Sequence, residues 1–173
     1  MRAAYKNIAR VLRTHGAKGE VVVAPLRGLP LLLHTGMQVH LTPPALARER
    51  VSTVLALADG PTSGTARVRF SCASTLEDAE GLVGCYVLAR RDDLDLGPLE
   101  AAVCDLLGRS VVDARIGEVG CIQEVLETPA NDVWVVDGGA HGEVLIPVID
   151  QVVESIPDEG PIAVRLMDGL LDL

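Results

Sequence analysis

Apolar and polar residues alternate in short runs along the first half of the chain, and a glycine or proline follows most of these runs. A period of two predicts β-strands rather than helices. The expected strands cover residues 8–12, 20–24, 36–41, 50–57, 65–70 and 86–89. Six short strands, with little chain left for crossovers, favour a closed antiparallel barrel.

One short helix is predicted between the fifth and sixth of these strands. Ser74 and Glu77 have the spacing of a capping box, in which the hydroxyl accepts the Glu77 amide while the carboxylate reaches back to the start of the helix. Glu77 and Asp78 also place negative charge in the first turn, where the helix dipole favours it. Gly81 or Gly84 is expected to end the helix.

The second half repeats the alternation after an acidic segment with glycine and proline at 92–100. Strands are expected over residues 107–112, 117–127, 132–137, 143–147 and 162–166. Gly120 lies inside the longest of them and indicates a β-bulge. The pattern predicts an all-β chain of two small β-barrels in tandem, with a domain at 1–91, a linker at 92–100 and a domain at 101–173.

Charge separates the two halves. Residues 1–91 hold 12 Lys and Arg against 6 Asp and Glu, a net charge of +6, whereas residues 92–173 hold 3 against 18, a net charge of −15. A basic front and an acidic back indicate two surfaces with different partners, one polyanionic and one basic. The basic excess is modest beside that of dedicated nucleic-acid binders, so any RNA contact should be auxiliary and sensitive to salt.

Composition disfavours several classes of protein. No run of 18 apolar residues occurs, so no membrane span is expected, and no apolar segment near Met1 indicates a secretory signal. The four cysteines are widely spaced without a C-x-x-C pair, which is typical of buried thiols in the cytoplasm and disfavours a zinc site. Phe70, Trp134, Tyr5 and Tyr86 are the only large aromatics, so base stacking has few residues to use. We expect no cofactor and no metal.

An enzyme is a second class to weigh. A catalytic nucleophile needs a nearby base, and the chain supplies suitable residue types without a recognisable local signature. They are Cys72, Cys85, Cys104, Cys121, His15, His34, His40 and His141. Neither a P-loop nor a G-x-G-x-x-G after a strand occurs. The sequence therefore favours a binding protein over an enzyme.

Several short motifs follow one another along nearly the whole chain. Residues 9–21 end in H-G-A-K-G-E-V, and residues 81–87 form the stretch G-L-V-G-C-Y-V. Further motifs lie at 105–108, 117–119, 127–136, 144–147 and 168–173. H-G-x-x-G-E alone is weak, but its combination in order with E-T-P-A-N-D-V, L-I-P and G-L-L-D-L is specific. Together the motifs resemble the RimM family of bacterial ribosome maturation factors.

The resemblance implies a translation-protein-like barrel with one short helix in the first half and a PRC barrel in the second. It implies a non-enzymatic assembly factor that binds the head of the maturing 30S subunit through a basic ribosomal protein, conventionally numbered nineteen, and assists 16S rRNA folding and processing. Nothing in the sequence demands more than a monomer. The alternative is a stand-alone PRC-barrel adaptor without a ribosomal role, for which the H-G-x-x-G-E block would be unneeded.

The resemblance also places a partner-binding surface in the second half. The family commonly carries two adjacent tyrosines that grip the ribosomal protein, and the matching positions here are Ala101 and Ala102, which removes most of that contact area. The other candidates are Asp105, Asn131, Asp132, Trp134, Leu145, Ile146 and Pro147. The simpler interpretation of Asn131 and Asp132 is a plain turn, and that of 145–147 is a core strand followed by a break.

Basic residues of the first two strands are candidates for contact with rRNA phosphates. The candidate rRNA contacts are Arg10, Arg13, His15, Lys18 and Arg27. The simpler interpretation of His15, Gly16 and Gly19 is a tight turn whose glycines supply positive φ, which is compatible with RNA contact. A further set, most simply a solvated strand face, comprises Arg67, Arg69, Arg90 and Arg91.

Overall fold

The computed structural model describes residues 5–45, 48–167 and 169–170, and strands account for most of the regular structure there. One unit of the chain ends at Asp95 and a second begins at Leu96. The fold is all-β, as the alternation of apolar and polar residues predicts.

The first unit is a closed barrel. Its elements are β1 (Tyr5–His15), β2 (Glu20–Pro25), β3 (Gln38–Thr42), β4 (Ser52–Asp59), β5 (Ala66–Phe70), α1 (Leu76–Glu80), β6 (Tyr86–Arg90) and a 3₁₀ turn (Arg91–Asp93). The strands follow the order β1-β2-β5-β4-β3-β6, all antiparallel, and β6 pairs with β1. The predicted six-stranded closed barrel is confirmed. β1 is longer than predicted because its first part pairs with β6 and its second part with β2.

Along each strand, every second side chain points into the barrel. These inward residues are almost all aliphatic, and Phe70 is the one large aromatic among them. The most deeply buried members of this core are Ile8, Val11, Val21, Val23, Val39, Val54, Val68, Phe70, Leu82 and Val87.

Helix α1 begins one residue later than predicted. Thr75 caps it, because the Thr75 hydroxyl accepts the Asp78 N–H at 3.1 Å and the Asp78 carboxylate accepts the Thr75 N–H at 2.9 Å. The prediction of a box between Ser74 and Glu77 is therefore wrong by one residue. The N–H groups of Ser74 and Thr75 and the Thr75 hydroxyl lower the pKa of Asp78. The helix ends at Gly81, one of the two predicted positions.

The second unit is built on a five-stranded sheet. Its elements are α2 (Val103–Leu106), β7 (Ser110–Asp113), β8 (Gly117–Leu126), β9 (Val133–Gly139), β10 (Gly142–Pro147) and β11 (Ile162–Val164). The order is β10-β9-β8-β7-β11, and β11 runs parallel to β7. The strand predicted over 107–112 begins only at Ser110, because α2 and a turn occupy the residues before it. Asp168 and residues 171–173, part of the last motif, lie outside the described residues.

Gly120 lies at the predicted bulge of β8. Val111 pairs with Gly120 while the next residue, Val112, pairs with Glu118, so β8 contributes one extra residue. Gly120 has φ +146°, and a Cβ there would lie 2.6 Å from the carbonyl oxygen of Asp137. A side chain at this position would therefore push β9 away.

A buried carboxylate ties β7 to the segment after β11. Asp113 is 3% exposed, and its carboxylate accepts the N–H groups of Arg115 at 2.7 Å, Ile116 at 3.3 Å and Leu166 at 2.7 Å. The Arg115 guanidinium also donates to the Leu166 carbonyl. Burial raises the pKa of Asp113, but the three amides and Arg115 outweigh it and lower the pKa below its ordinary value. The carboxylate is therefore charged at neutral pH.

Aliphatic side chains fill the second core around one aromatic, Trp134. It is the largest fully buried side chain of the described residues. The most deeply buried neighbours in the same cluster are Val111, Val119, Ile122, Val136, Ile146, Val152, Val153 and Ile162. Each of the two cores draws its residues from its own unit.

Candidate functional site

The outer face of β1, β2 and β5 gathers basic side chains from separate strands. Arg13 of β1 lies beside Val22 of β2, which lies beside Arg67 of β5. In another row, Arg69 of β5 lies beside Glu20 of β2. Because neighbouring strands are about 4.8 Å apart, the Cα atoms of Arg13 and Arg67 are roughly 10 Å apart. The basic face consists of the exposed residues Arg10, Arg13, Arg67 and Arg69.

Two arginines of the basic face are positioned by uncharged neighbours. The Arg10 guanidinium lies 5.4 Å from the centre of the Tyr86 ring, a cation–π contact. Arg67 Nε donates to the carbonyl oxygen of Asp59 at 3.1 Å. Neither the ring nor the carbonyl oxygen carries a net charge, so both guanidinium groups keep their attraction for phosphate.

The five predicted RNA-contact residues lie along the whole β1–β2 hairpin. Arg10 and Arg13 belong to the basic face. His15 and Lys18 lie at the turn that joins β1 to β2, and Arg27 follows the far end of β2. By strand register Arg13 shares a row with Arg67 and His15 shares a row with Arg69, so the structure brings these two of the five near the arginines of β5.

The hairpin turn explains the glycines of the H-G-A-K-G motif. Gly16 has φ +63° and Gly19 has φ +79°. A Cβ on Gly19 would lie 2.4 Å from the carbonyl oxygen of Ala73, whereas nothing lies within 4 Å of one on Gly16. The interpretation of the motif as a turn with positive φ is confirmed.

Sequence reasoning did not join Arg67 and Arg69 to the first hairpin. Their alternation with buried residues from Ala66 to Phe70 indicates that both point outward. Which strand lies next to β5 is not readable from that pattern. Only the order β1-β2-β5 places Arg67 near Arg13.

The outer face of β8, β9 and β10 carries exposed apolar side chains. Leu145 of β10 lies beside Val135 of β9, which lies beside Glu124 of β8. In the next row Val133 lies beside Leu126. Leu126 and Leu145 are 39% and 40% exposed. These five residues form what we call the apolar–acidic face.

Further carboxylates border the apolar–acidic face. Asp137 lies on the same side of β9 as Val135, and Glu143 is exposed near the start of β10. β10 is the last strand of the sheet as far as the described residues extend. An apolar patch bordered by negative charge is complementary to a partner that is basic and partly apolar.

Four of the predicted partner-binding residues are buried. Ala101, Ala102, Trp134 and Ile146 are 6%, 0%, 1% and 0% exposed. The expectation of direct partner contact does not hold for these four side chains in this fold, because a partner has almost no surface of theirs to touch.

The other five predicted partner-binding residues are accessible. Leu145 and Pro147 belong to β10, and Leu145 is part of the apolar–acidic face. Asn131 and Asp132 lie in the loop before β9, and Asp105 is exposed on α2, outside the sheet. The structure thus brings two of the five onto one strand.

The loop at 127–132 is held by a threonine. The Thr128 hydroxyl donates to the Asn131 carbonyl at 2.5 Å and accepts the Asn131 N–H at 3.3 Å. The plain turn expected of Asn131 and Asp132 therefore also uses a hydroxyl three residues earlier.

Sequence reasoning missed Glu124, Leu126, Val133 and Val135. A signal was present, because residues 133–136 contain no polar side chain although they lie in an alternating strand. One face of such a strand packs in the core. When the other face is apolar as well, the run indicates a second apolar surface on that side.

Within the part of the chain that the structure describes, the cysteines and the other metal-ligating residue types form no metal centre. None of the four cysteines, all of which lie within the described residues, forms a disulfide. Cys85 is buried, but Cys104 is exposed on α2, so the expectation of buried thiols is wrong for Cys104. Residues 5–45, 48–167 and 169–170 contain no group of three or more His, Cys, Asp or Glu arranged to hold a metal ion. Within the same ranges no helix has the length and apolar character needed to cross a membrane.

Two family models match consecutive parts of the chain. The model described as the RimM N-terminal domain matches residues 6–94, and the model described as the RimM PRC barrel domain matches residues 103–170.

Curated relatives align over nearly the full length. A ribosome maturation factor RimM of Prosthecochloris aestuarii is 33% identical, over 94% of this chain and 95% of its own length. One of Staphylococcus epidermidis is 32% identical, over 95% and 98%, and one of Caldicellulosiruptor bescii is 27% identical, over 97% and 98%. A solved RimM structure from Pseudomonas aeruginosa is 24% identical, with a TM-score of 0.42, over 94% of this chain and 98% of that chain.

Proposed function

Because the chain belongs to the RimM family of ribosome maturation factors, we propose that it binds the head of the maturing 30S subunit. The second unit docks on a basic small-subunit ribosomal protein, the one conventionally numbered nineteen, and the first unit contacts 16S rRNA nearby. Holding protein and RNA in register would favour correct folding and processing of the rRNA.

The observation that carries the proposal is the apolar–acidic face. Leu126 and Leu145 offer apolar area to a partner, and Glu124 lies in the same row of side chains as Leu145. The net charge of −15 on residues 92–173 adds long-range attraction for a basic protein. Apolar contact supplies affinity, while charge complementarity supplies rate and choice of partner.

The basic face supports the RNA contact. Arginine pairs with phosphate through two parallel N–H donors, which a strand face can present at regular spacing. Arg13 and Arg67 lie roughly 10 Å apart by strand spacing, so they reach separate phosphates. With a net charge of only +6 on residues 1–91, this contact positions the factor rather than anchoring it.

The alanines at 101 and 102 bear on which surface of the second unit docks. The resemblance assigns a pair of gripping tyrosines to positions that here hold buried Ala101 and Ala102. In this member the apolar–acidic face supplies the contact area that such tyrosines would give. Moderate affinity is expected, because a maturation factor has to leave the subunit.

Co-sedimentation of the full chain with immature and mature 30S subunits, at low and moderate salt, tests the proposal. We expect binding to immature subunits that weakens with salt. Leu145→Ser and Glu124→Lys should each weaken binding by about five-fold or more, as loss of a central contact does. Leu107→Ser and Asp150→Lys make the same chemical changes at exposed sites outside the face and should bind like the parent.

Several results would contradict the proposal. Equal binding to immature and mature subunits would remove the maturation role, and parent-like binding by Leu145→Ser and Glu124→Lys would remove the docking face. Association with other proteins through residues 97–173, without any subunit binding, would favour the stand-alone adaptor. Against that alternative, family models match both units of this chain.

The salt dependence of subunit binding tests the basic face separately. Each phosphate contact removed should lower the slope of log K against log salt by about 0.7–0.9. Arg13→Gln and Arg67→Gln are expected to have this effect, and Arg165→Gln in the second unit serves as the matched control. An unchanged slope in both face variants would assign the RNA contact to another surface.

A further inference from the structure

The outer side of β1, β6 and β3 holds both tyrosines of the chain. Tyr5 on β1 and Tyr86 on β6 are 41% and 38% exposed. His40 on β3 pairs with Leu88 of β6, and its ring meets the Tyr5 ring edge-on with centroids 4.7 Å apart. The aromatic platform is the set Tyr5, His40 and Tyr86. Although the chain is poor in aromatics, the barrel collects three rings on one side.

A cleft of about 570 Å³ opens beside two rings of the platform. Tyr5, His40 and Leu88 line it from the strands, and Arg48 and Arg50 line it from the segment that follows β3. No acidic residue is found among the described residues of its lining. Its volume falls in the range of about 300–1,000 Å³ that is typical of ligand sites.

Arg48 is held in place by uncharged acceptors. Its guanidinium donates to the carbonyl oxygens of Leu41 at 3.2 Å, Pro43 at 2.5 Å and Gly81 at 3.3 Å. These acceptors are neutral, so a positive charge stays fixed at the wall of the cleft. Arg50 beside it is exposed.

The occupant that fits these features has flat apolar groups and regularly spaced negative charge. We propose that the aromatic platform binds an unpaired stretch of RNA, with bases on Tyr5 and Tyr86 and phosphates near Arg10 and Arg50. Stacking on exposed rings requires bases that are not already stacked in a duplex, and arginines beside the rings suit the backbone. The Arg10 guanidinium lies 5.4 Å from the centre of the Tyr86 ring, so it would yield that ring face to a base and pair with the adjacent phosphate.

The spacing of the rings favours a strand over a single nucleotide. Tyr5 pairs with Arg90, which follows Tyr86 by four residues along β6. At about 3.3 Å per residue, the backbones of the two tyrosines are offset by roughly 13 Å along the strands. A mononucleotide reaches one ring, whereas a short single strand reaches both. The inference rests on the proposed function only in naming rRNA as the source of the strand.

Fluorescence anisotropy with the full chain tests the inference. The probe is a mixed-sequence single-stranded RNA of about 12 nucleotides, within the site sizes of single-strand binders, with a central 2-aminopurine; the comparison is the same sequence as a duplex. We expect the single strand to bind more tightly than the duplex. Its 2-aminopurine fluorescence should be quenched on binding, because the base stacks on a ring.

Substitutions of the two tyrosines test whether the RNA binds at the aromatic platform. Tyr5→Ala and Tyr86→Ala should each weaken single-strand binding by about five-fold to more than a hundredfold and reduce the quenching, as loss of one base–aromatic stack does. Tyr86→Phe should keep both signals, because the ring remains. Leu55→Ala removes a comparable exposed side chain from β4 and should change neither. Thermal unfolding of each variant checks that the barrel is intact.

Three results would overturn the inference: equal affinity for single strand and duplex, a loss in Tyr86→Ala no larger than in Leu55→Ala, or complete displacement of the RNA by a mononucleotide at concentrations that fill one small site. Co-sedimentation separates this failure from that of the proposed function. Absent single-strand binding with intact subunit binding leaves the proposed function standing. Single-strand binding without subunit binding would support this inference and contradict the proposed function.

Discussion

In the first unit every strand has a neighbour on both sides, whereas the sheet of the second unit ends at β10 and β11. A closed barrel satisfies its strand edges with its own hydrogen bonds. At β11 the second unit uses other devices, because Val153 bridges to Val164 and Asp113 holds the Leu166 amide. The first unit therefore protects its strand edges by backbone pairing alone, whereas the second unit adds a buried side chain, that of Asp113, to a backbone bridge.

The outer surfaces differ more than the cores do. Both cores are aliphatic with one large aromatic, Phe70 or Trp134. The outward positions are basic and aromatic in the first unit, and apolar with carboxylates in the second. Since packing constrains the inward residues, choice of partner is left to the outward ones.

The largest expected effect is loss of the second core. Trp134→Ala should lower the free energy of unfolding by about 3–5 kcal/mol, because it removes a large buried ring. Peptide-resolved hydrogen exchange should show the loss of protection within residues 96–173. Phe70→Ala is the matched change and should lower protection in the first unit instead. Equal loss in both units from either variant would show that the two cores are not separate.

A glycine pair tests the dependence of the first unit on backbone geometry. Gly19→Ala should cost about 2–4 kcal/mol, because it combines positive φ with a Cβ that would lie 2.4 Å from the Ala73 carbonyl oxygen. Gly16→Ala shares the positive φ without the close contact and should cost about 1–2 kcal/mol. Denaturant unfolding measures both. Equal costs would mean that the contact with Ala73 contributes nothing.

The Asp113 carboxylate tests the dependence of the second unit on side chains. Asp113→Ala leaves the amides of Arg115, Ile116 and Leu166 without that acceptor and should cost about 2 kcal/mol or more. Denaturant unfolding at neutral pH gives this value. Asp113→Asn keeps the size of the side chain but removes its charge. Comparing it with Asp113→Ala therefore separates the effect of the charge from that of the shape. No loss in the alanine variant would show that the anchor is dispensable.

The same carboxylate predicts acid sensitivity. Its pKa is lower in the folded protein than the ordinary value of 3.8, so the unfolded chain binds this proton more tightly. The stabilisation is complete above that ordinary value and is lost as pH falls through the folded pKa. Unfolding midpoints measured downward from neutral pH should fall less steeply for Asp113→Asn than for the parent. Parallel curves would assign the acid sensitivity to other groups.

The smallest expected effect concerns the start of α1. Thr75→Ala should lower the free energy of unfolding by about 1 kcal/mol, as loss of an N-cap does. Ser74→Ala should cost less, because the Ser74 hydroxyl donates to the Asp78 carboxylate, at 3.2 Å, and does not cap a backbone N–H of α1. The reverse ranking in denaturant unfolding would restore the cap predicted from the sequence.

Local sequence patterns predicted most of the strands, but they missed the short helix α2 and misplaced the capping box of α1. The six strands of the barrel and the bulge at Gly120 follow from alternation and from one glycine. Helix α2, at Val103–Leu106, is too short to show a helical period. The capping box was placed one residue early because Ser74 and Thr75 are both good caps with an acidic residue three positions later.

Three properties could be predicted without any structure: the all-β fold, the membership of the RimM family and the opposite charge of the two halves. Alternation, ordered motifs and charge are all properties of the linear sequence. Only the folded structure shows that Ala102 and Trp134 are buried, and that Arg13 lies near Arg67. Arg13 and Arg67 become neighbours because β2 pairs with β5, which lies far from it along the chain. Strand order arises from hydrogen bonding and packing of the whole unit, which no local pattern records.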